Sequence, residues 1–325
     1  MVKLSVIIPV YNVEKYIGKC AKSLFEQTLD DMEFIFVDDG TKDKSIDVVK
    51  NILNNYPQRL NQVKILHQLN EGPLQARLNG IQEAKGNYIT CVDSDDWIDS
   101  DTLEVLYNQA VKEDPECVIM GYKREFLDHT ESCHRIFPDK TGKELMHHLY
   151  LYPFELFTCG IILKNNDNLK EIINNYKNKA ELKGITMWED VALMMPLYYG
   201  VKKISYCDKC FYHYNRTNVS SALNTISIEK AHQALNVMHF LCNYFKDDDK
   251  MKLTLGSMTL GAKNMLLGKV PLKEWRNRES WCNSYILKYK SIPIKIRLFY
   301  WLLAHGFDWI FTIYKKLHKV DISLK

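Results

Sequence analysis

The stretch Gly86-Asn-Tyr-Ile-Thr-Cys-Val-Asp-Ser-Asp-Asp-Trp97 is the segment from which the rest of the chain can be interpreted. Its residues 88–92 form a short apolar run that predicts a buried β-strand. Three carboxylates and a serine follow directly: Asp93, Ser94, Asp95 and Asp96. In extended backbone Asp93 and Asp95 point to one side and Asp96 to the other. Such a pair suits Mg²⁺ or Mn²⁺, which proteins hold with one or two carboxylates and substrate phosphates. The alternative is an acidic turn that caps the next helix.

Composition and charge narrow the class of protein. The chain has 325 residues, of which 46% are apolar and 26% charged, as expected for a globular protein of about two domains. A net charge of +3 creates no field that would attract nucleic acid. The N-terminus enters a strand at once, and the nine cysteines lack the spacing of a disulfide framework. These features predict a cytoplasmic protein.

Strands and helices alternate through the first 120 residues. Five apolar runs predict strands, at residues 4–10, 33–37, 63–66, 88–92 and 117–120. Helical periodicity between them predicts an α/β protein with a doubly wound, mostly parallel, Rossmann-like sheet. In such sheets ligands bind beyond the carboxyl ends of the strands. No Gly-x-Gly-x-x-Gly follows the first strand and no Gly-x-x-x-x-Gly-Lys-Ser/Thr loop occurs, which argues against a nicotinamide or P-loop protein.

Candidate ligand-binding residues follow four of the predicted strands. In strand order they are Pro9 and Tyr11, Asp38 and Asp39, Asn70, and Asp93 and Asp95. Because the carboxyl ends of parallel strands meet at one edge of the sheet, we expect these residues to lie together. Their convergence favours a ligand site over a helix cap at residues 93–96.

Four segments together resemble the family 2 glycosyltransferases, which are inverting enzymes with a GT-A-type nucleotide-sugar fold. They are Ser5-Val-Ile-Ile-Pro-Val-Tyr-Asn12, Val37-Asp-Asp-Gly-Thr41, Ala76-Arg77 and Val92-Asp-Ser-Asp-Asp-Trp97, and the resemblance extends over residues 3–220. The implied nucleotide-sugar-binding residues are Pro9, Tyr11, Asp38, Asp39, Asn70, Arg77, Asp93, Ser94, Asp95 and Arg216. By the same resemblance Asp39 would contact the uracil edge and Asp95 would bind the metal that bridges the diphosphate. One departure is Leu78, where the family often has asparagine.

Two acidic residues further along are candidates for the proton chemistry of a transferase. An acceptor hydroxyl is a poor nucleophile until a base takes its proton. Glu189 and Asp190 precede an apolar helix, where they would also stabilise the helix dipole. The resemblance implies that Asp190 is the general base and that Glu189 positions the acceptor.

The segment Phe211-Tyr-His-Tyr-Asn-Arg216, with Ser220 and Ser221, resembles the part of the family that closes over the diphosphate. This implies that His213 is a third ligand of Mn²⁺ or Mg²⁺, beside Asp93 and Asp95. The alternative for His213 is a structural histidine. Arg216 has the planar fork of donors that clamps phosphate, or it is a surface arginine.

The predicted domains are 1–222, a GT-A domain with nucleotide-sugar-binding (1–121) and acceptor-binding (122–222) halves, and 223–325, a C-terminal helical region. Residues 292–319 mix bulky apolar side chains with lysine and arginine. The most apolar part, residues 298–313, is shorter than a bilayer span and contains His305 and Asp308. We therefore expect it to lie on a membrane surface, or to pack against its own domain or a second copy of the chain.

The predicted function is inverting, metal-dependent transfer of a sugar from a nucleoside-diphosphate sugar, preferentially a UDP-sugar. The acceptor would be a hydroxyl of a glycan or lipid-linked glycan during assembly of a capsule, exopolysaccharide or lipopolysaccharide. The enzyme would act in the cytoplasm, at the inner face of the membrane if its C-terminal segment binds there. The alternative is a catalytically silent nucleotide-sugar-binding or scaffold protein of the same fold.

Overall fold

A computed structural model describes residues 1–152, 156–177, 179, 182–218 and 226–318 of the chain. These residues belong to two compact units. Unit 1 comprises Met1–Lys143, Leu156–Ile185 and Leu193–Ser220, and unit 2 comprises Glu144–Glu155, Thr186–Ala192 and Ser221–Lys325. The domain boundaries inferred from the sequence stay a prediction.

All the strands among the described residues lie in unit 1. In chain order they are β1 Leu4–Val10, β2 Met32–Asp38, β3 Val63–His67, β4 Tyr88–Cys91, β5 Trp97–Ile98, β6 Cys117–Glu125, β7 Thr130–Cys133, β8 Ile161–Lys164 and β9 Ile204–Asn215. The helices are α1 Ile17–Phe25, α2 Ser45–Leu53, α3 Pro73–Gln82, α4 Thr102–Glu113, α5 Gly142–His148, α6 Asp167–Lys177, α7 Glu189–Gly200, α8 Ile228–Tyr244, α9 Lys252–Asn264, α10 Leu272–Asn277, α11 Ile294–Ala304 and α12 Trp309–His318.

The strands form one mixed sheet in the order β3-β2-β1-β4-β8-β6-β9-β5, and β7 pairs with β6. The pairs β1–β2, β2–β3 and β1–β4 are parallel, as predicted for the first half of the chain. β8 inserts antiparallel between β4 and β6, so β6 runs in the same direction as β4. The five predicted strands are therefore all parallel, which confirms the mostly parallel sheet, and the inserted strand β8 was not predicted. The α/β class is confirmed. Helices α1–α7 lie between strands along the chain, and α8–α12 follow the last strand.

The central strands are buried on both faces, which explains their continuous apolar sequences. One face of β1 and β2 packs on α1, where Phe25 contacts the ring of Phe34 edge to face at 5.6 Å. On α3, a Cβ atom at Gly80 would lie 2.5 Å from Cγ2 of Ile7. The absence of a side chain at Gly80 therefore allows α3 to approach β1 closely, and Arg77 lies one turn earlier on the same helix.

Unit 2 is helical and has its own apolar core. The core includes Leu260 of α9, Trp275 of α10, and Leu303 and Phe311 of the last two helices. None of the helices in the described ranges has both the length and the apolar character that a membrane crossing requires.

Candidate active site

The three carboxylates after β4 lie on a tight turn at the carboxyl end of the strand. The Val92 N–H still donates to the Ile7 carbonyl of β1, so the strand alignment persists to that residue. The chain then turns, and the Asp96 N–H donates to the Asp93 carbonyl at 3.0 Å. This turn places Asp93, Asp95 and Asp96 close enough for their charges to interact.

Asp96 is the buried member of the group and joins the turn to β9. Its Oδ1 accepts from the Asn215 N–H at 2.8 Å, and its Oδ2 accepts from the Tyr212 hydroxyl. Burial, followed by the charges of Asp95 and Asp93, raises the pKa of Asp96 well above its ordinary value. Both carboxyl oxygens of Asp96 accept hydrogen bonds from β9, so Asp96 fixes the turn after β4 to that strand.

Asp93 is paired with a buried arginine. Nη2 of Arg77 donates to Asp93 Oδ1 at 2.8 Å, and the Asp93 side chain is 30% exposed. The Asp93 N–H donates to the Tyr212 hydroxyl at 3.2 Å. Arg77 is positioned by α3, which begins at Pro73 as the sequence predicted. The structure therefore brings Arg77 and Asp93 together, with one carboxylate oxygen of Asp93 held by the arginine.

Asp95 lies beside this pair. Its Oδ2 accepts from Nδ2 of Asn218 at 2.7 Å, and its carbonyl accepts from Nδ2 of Asn215 at 3.1 Å. Burial and then the charge of Asp93 raise the pKa of Asp95, while the Asn218 hydrogen bond and the Arg77 charge oppose the shift. Ser94, between the two acids, is buried.

The chemistry of this donor set fits a divalent cation shared with a ligand. Within the described part of the chain, no three side chains of His, Cys, Asp or Glu come together as a ligand set. Asp93 and Asp95 nevertheless repel each other, and a cation between them would relieve that repulsion. Mg²⁺ and Mn²⁺ often bind through one or two carboxylates with substrate phosphates completing the shell. The two acids suit an ion that arrives with a diphosphate.

A second group of residues lies at the end of β2, on the other side of β1 from β4. Asp39 is buried, and its Oδ1 accepts from Nε2 of Gln68 at 2.8 Å and from the Glu71 N–H at 2.9 Å. Its Oδ2 accepts from the Gly72 N–H at 3.0 Å. Burial raises the pKa of Asp39, and these hydrogen bonds oppose the shift. Asp39 thus fixes the loop at residues 68–72.

The other predicted nucleotide-binding residues are distributed around this loop. Asp38 accepts from the Thr41 N–H at 2.8 Å and hydrogen-bonds to Nδ1 of His67 at 2.9 Å. Asn70 is exposed, at the tip of the loop. Pro9 is opposite Val37 in the β1–β2 register, and Tyr11, just beyond β1, is exposed.

His213 and Arg216 have partners other than the carboxylates at residues 93 and 95. Nε2 of His213 lies 2.9 Å from Oδ1 of Asp99, and its Nδ1 lies 2.7 Å from Oε1 of Glu125. The His213 ring also stacks on Trp97, with centroids 5.1 Å apart. Arg216 lies over the Tyr214 ring, and its Nη1 donates to the Tyr214 hydroxyl at 3.3 Å. The metal and phosphate roles of these two residues stay predictions.

Glu189 and Asp190 begin α7 and belong to unit 2. Both side chains are partly exposed, and the preceding Trp188 has a left-handed backbone with φ of 64°. The roles of Glu189 and Asp190 stay predictions. Ser220 and Ser221 lie outside the described residues.

Sequence reasoning missed the residues that support the acids. Tyr212 and Asn215 both contact the turn after β4, although simple alternation along β9 puts them on opposite faces. Asn218 lies beyond β9, where no periodic pattern could identify it. The signal in the sequence was the resemblance of residues 211–216 to the part of the family that closes over the diphosphate.

Residues 5–166, about half of the chain, match the model of Glycosyl transferase family 2. The chain belongs to this family. The match includes both strand-end groups, and it confirms the resemblance stated from the sequence. It does not reach Glu189, Asp190 or β9.

Similar proteins support the fold of this family 2 chain. TarS of S. aureus, residues 1–349 in complex with UDP-GlcNAc, has a TM-score of 0.56 at 20% identity, covering 94% of this chain and 92% of that one. The mannosyltransferase PcManGT of Pyrobaculum calidifontis, in complex with GDP-Man and Mn²⁺, has a TM-score of 0.50 at 13% identity, covering 98% and 88%. The fold is therefore GT-A-like, as predicted.

The matches to sequence relatives differ in length. The putative glycosyltransferase EpsH of Bacillus subtilis is 28% identical over 250 residues, covering 77% of this chain and 71% of that protein. Other relatives match shorter segments. The poly(ribitol-phosphate) beta-glucosyltransferase of Bacillus spizizenii is 41% identical over 123 residues, covering 37% of this chain and 19% of that protein. The matched segments cover 17% to 52% of three other bacterial glycosyltransferases. The chain thus spans about half or less of the relatives that match over shorter segments, and their substrates do not transfer to it directly.

Proposed function

We propose that this family 2 glycosyltransferase transfers a sugar from a UDP-sugar to a hydroxyl of a glycan or lipid-linked glycan, with inversion at the anomeric carbon, during polysaccharide assembly. Support for the donor comes from the GT-A-like fold, since TarS of similar fold is known in complex with UDP-GlcNAc. Support for a polymer product comes from the relative that glucosylates poly(ribitol-phosphate).

The observation that carries this proposal is the pair of partly exposed acids after β4. Asp93 is held by Arg77, and Asp95 is held by Asn218, so both carboxylates have a defined position before a ligand arrives. Preorganised charges of this kind lower the free energy needed to order a site during catalysis. The Asp39 loop, on the neighbouring strand end, is proposed to hold the uracil.

Asp93 and Asp95 would hold the Mn²⁺ or Mg²⁺ ion. When bound, such an ion supplies Lewis-acid stabilisation of the charge on the leaving diphosphate. Arg77 neutralises part of the acidic charge, which limits the repulsion between Asp93 and a diphosphate.

Asp190 is proposed as the general base. It would take the proton from the acceptor hydroxyl while the hydroxyl oxygen attacks the anomeric carbon opposite the diphosphate, which leaves with the electron pair of the broken bond. Glu189 is proposed to bind the acceptor. A single displacement of this kind inverts the configuration.

Calorimetric titration with UDP, in Mn²⁺ and in EDTA, tests the binding half of the proposal. We expect metal-dependent binding that weakens at least about tenfold in Asp95→Asn, because the variant loses a charged ligand. Asp47→Asn on α2, an exposed acid, is the matched control and should bind as the wild type does. UDP binding that is the same in EDTA, or unchanged by Asp95→Asn, contradicts the proposed site.

Turnover with UDP-sugars separates an enzyme from the silent binding protein. We expect Asp190→Asn to bind UDP within about twofold of the wild type and to lose at least about 100-fold in transfer rate, the usual contribution of a general base. The anomeric configuration of the product, read by NMR, tests inversion. Wild-type protein that binds UDP but transfers no sugar would favour the silent alternative.

A further inference from the structure

The last two helices of unit 2 leave apolar side chains uncovered. Seven of the sixteen exposed large apolar side chains among the described residues lie between residues 287 and 313, less than a tenth of the chain: Leu287, Ile294, Ile296, Leu298, Phe307, Trp309 and Ile313. Exposed apolar residues are normal when scattered singly, whereas a concentration of them marks an interaction surface. Four of them lie on the side of α11 or α12 that faces away from the buried Leu303 or Phe311, and we call these four, Ile294, Leu298, Trp309 and Ile313, the apolar patch.

Each of the two helices has an apolar side that is not used by the core. In α11, Ile294 and Leu298 are one turn apart and exposed, while Leu303 is buried in the core of unit 2. In α12, Trp309 and Ile313 repeat this spacing and are 59% and 45% exposed, while Phe311 is buried. Both helices are therefore packed on one side and apolar on another.

The sequence around the patch is strongly basic. Residues 288–318 contain six lysines and arginines and one acid, a net charge of +5 in a chain whose total is +3. The acid, Asp308, is already paired with Arg276. Lys288, Lys290 and Lys295 are exposed. The patch is thus flanked by positive charge that no neighbouring acid in this segment balances.

We propose that α11 and α12 lie in the surface of a membrane that contains anionic lipids. The apolar patch would enter the boundary between headgroups and acyl chains, and the lysines and arginines would contact anionic headgroups. Tryptophan is enriched at this depth, where its ring is apolar and its N–H meets water. The two helices, of 11 and 10 residues, are too short to span a bilayer and suit a position along its surface.

Charge argues against a second copy of the chain as the partner. In a twofold dimer the same surface meets itself, so two segments of net charge +5 would face each other. Like charges across an interface are strongly unfavourable, and the cores of protein interfaces are depleted of charge. Anionic lipid satisfies both the apolar and the basic features. The proposal does not depend on the proposed transferase function.

Flotation of the full chain with vesicles tests the proposal. We expect binding to vesicles that contain phosphatidylglycerol, much weaker binding to pure phosphatidylcholine, and loss of the difference at high salt. Trp309→Ser with Ile313→Ser should lower partitioning at least about tenfold, because each side chain removed contributes about that factor when buried in apolar surroundings. Lys290→Glu with Lys295→Glu should remove the preference for anionic vesicles.

Matched controls separate these effects from general changes in surface. Leu127→Ser with Ile136→Ser removes two apolar side chains that are 92% and 56% exposed in unit 1, and it should bind vesicles as the wild type does. Lys50→Glu with Lys112→Glu is the equivalent control for charge. Because the substituted side chains are exposed, the thermal unfolding of the other three variants should match the wild type. Lys50 and Lys112 lie in the last turns of α2 and α4, so their charge reversal should lower the unfolding temperature slightly.

Three results would overturn the proposal. The first is wild-type protein that floats with neither kind of vesicle. The second is a Trp309→Ser, Ile313→Ser variant that floats as the wild type does. The third is a dimer in light scattering that this variant converts to a monomer without any vesicle binding, which would make a second copy the occupant.

Discussion

Removal of one buried oxygen, by Tyr212→Phe, tests whether β9 holds the acidic turn in place. The Tyr212 hydroxyl donates to Oδ2 of Asp96 and accepts from the Asp93 N–H at 3.2 Å. The ring itself is buried in the core of unit 1, and phenylalanine keeps its shape. The substitution therefore removes two hydrogen bonds and little packing.

The magnitude follows from the two groups that lose a partner. An ordinary intramolecular hydrogen bond contributes about 0.5–1.5 kcal/mol, and a partly buried backbone N–H left without a partner costs about 1–3 kcal/mol. Asp96 keeps the Asn215 N–H at 2.8 Å, so its carboxylate is not left without a donor. We expect Tyr212→Phe to lower the free energy of unfolding by about 3 kcal/mol.

Tyr214→Phe is the matched control, two residues along the same strand. The Tyr214 hydroxyl accepts only a 3.3 Å hydrogen bond from the exposed Arg216 among the contacts described, so its loss should cost less than about 0.5 kcal/mol. Urea unfolding followed by circular dichroism measures the difference between the two variants. Hydrogen exchange of residues 93–99, followed by mass spectrometry, assigns the loss to the acidic turn. Equal stability of the two variants, or unchanged exchange in Tyr212→Phe, would refute the reasoning.

Three further predictions concern other parts of the chain. Asp39→Asn replaces an acceptor by a donor beside the loop amides, so exchange at Glu71 and Gly72 should rise at least about tenfold, and UDP titration should show weaker binding. Gly86→Ala would place a Cβ atom 2.5 Å from the Ser5 nitrogen, so urea unfolding should show a free energy of unfolding lower by about 3 kcal/mol. In the control Gly18→Ala the nearest contact of the Cβ atom is at 3.5 Å, so stability should be unchanged or slightly higher. Burial lowers the pKa of Lys263 to about 8, so the folded state binds fewer protons than the unfolded state from about pH 8 to 10.5, and stability should rise with pH in this window by about 1 kcal/mol per unit relative to Lys263→Met. Urea titrations of both proteins across this range check the sign, and parallel curves would contradict it.

The parallel strands β1, β2 and β4 could be predicted because each of them can be recognised from its own residues and the turn residues that follow. β1, β2 and β4 are continuous apolar runs with turn residues after them, and these features appear directly in the sequence. β8 could not be placed, because residues 161–164 form a short run whose antiparallel position depends on pairing with distant strands. The family resemblance implied the GT-A-type fold, but it did not predict that β8 lies between β4 and β6.

The candidate site divides in the same way. Arg77 and Asp93 were both assigned to the nucleotide-sugar site through the family resemblance, but their pairing, at 2.8 Å in the structure, was not predicted. Tyr212 and Asn218 were not predicted, because their contribution depends on how β9 reaches the end of β4. The environment of His213 was also hidden, since its partners Asp99 and Glu125 come from different strands or turns of unit 1.

The burial of the three acids distinguishes their roles. Their spacing in the sequence predicted only which way each side chain points. Alternation placed Asp96 opposite Asp93 and Asp95, and the structure buries Asp96 against β9 while Asp93 remains partly exposed. A buried carboxylate is tolerated only when its oxygens are satisfied, and Tyr212 and Asn215 do this for Asp96. Loss of activity after Asp96→Asn would therefore report damage to the turn and would not identify a ligand. Asp95→Asn changes a partly exposed acid that is proposed to hold the metal ion, so it is the substitution that tests ligand binding.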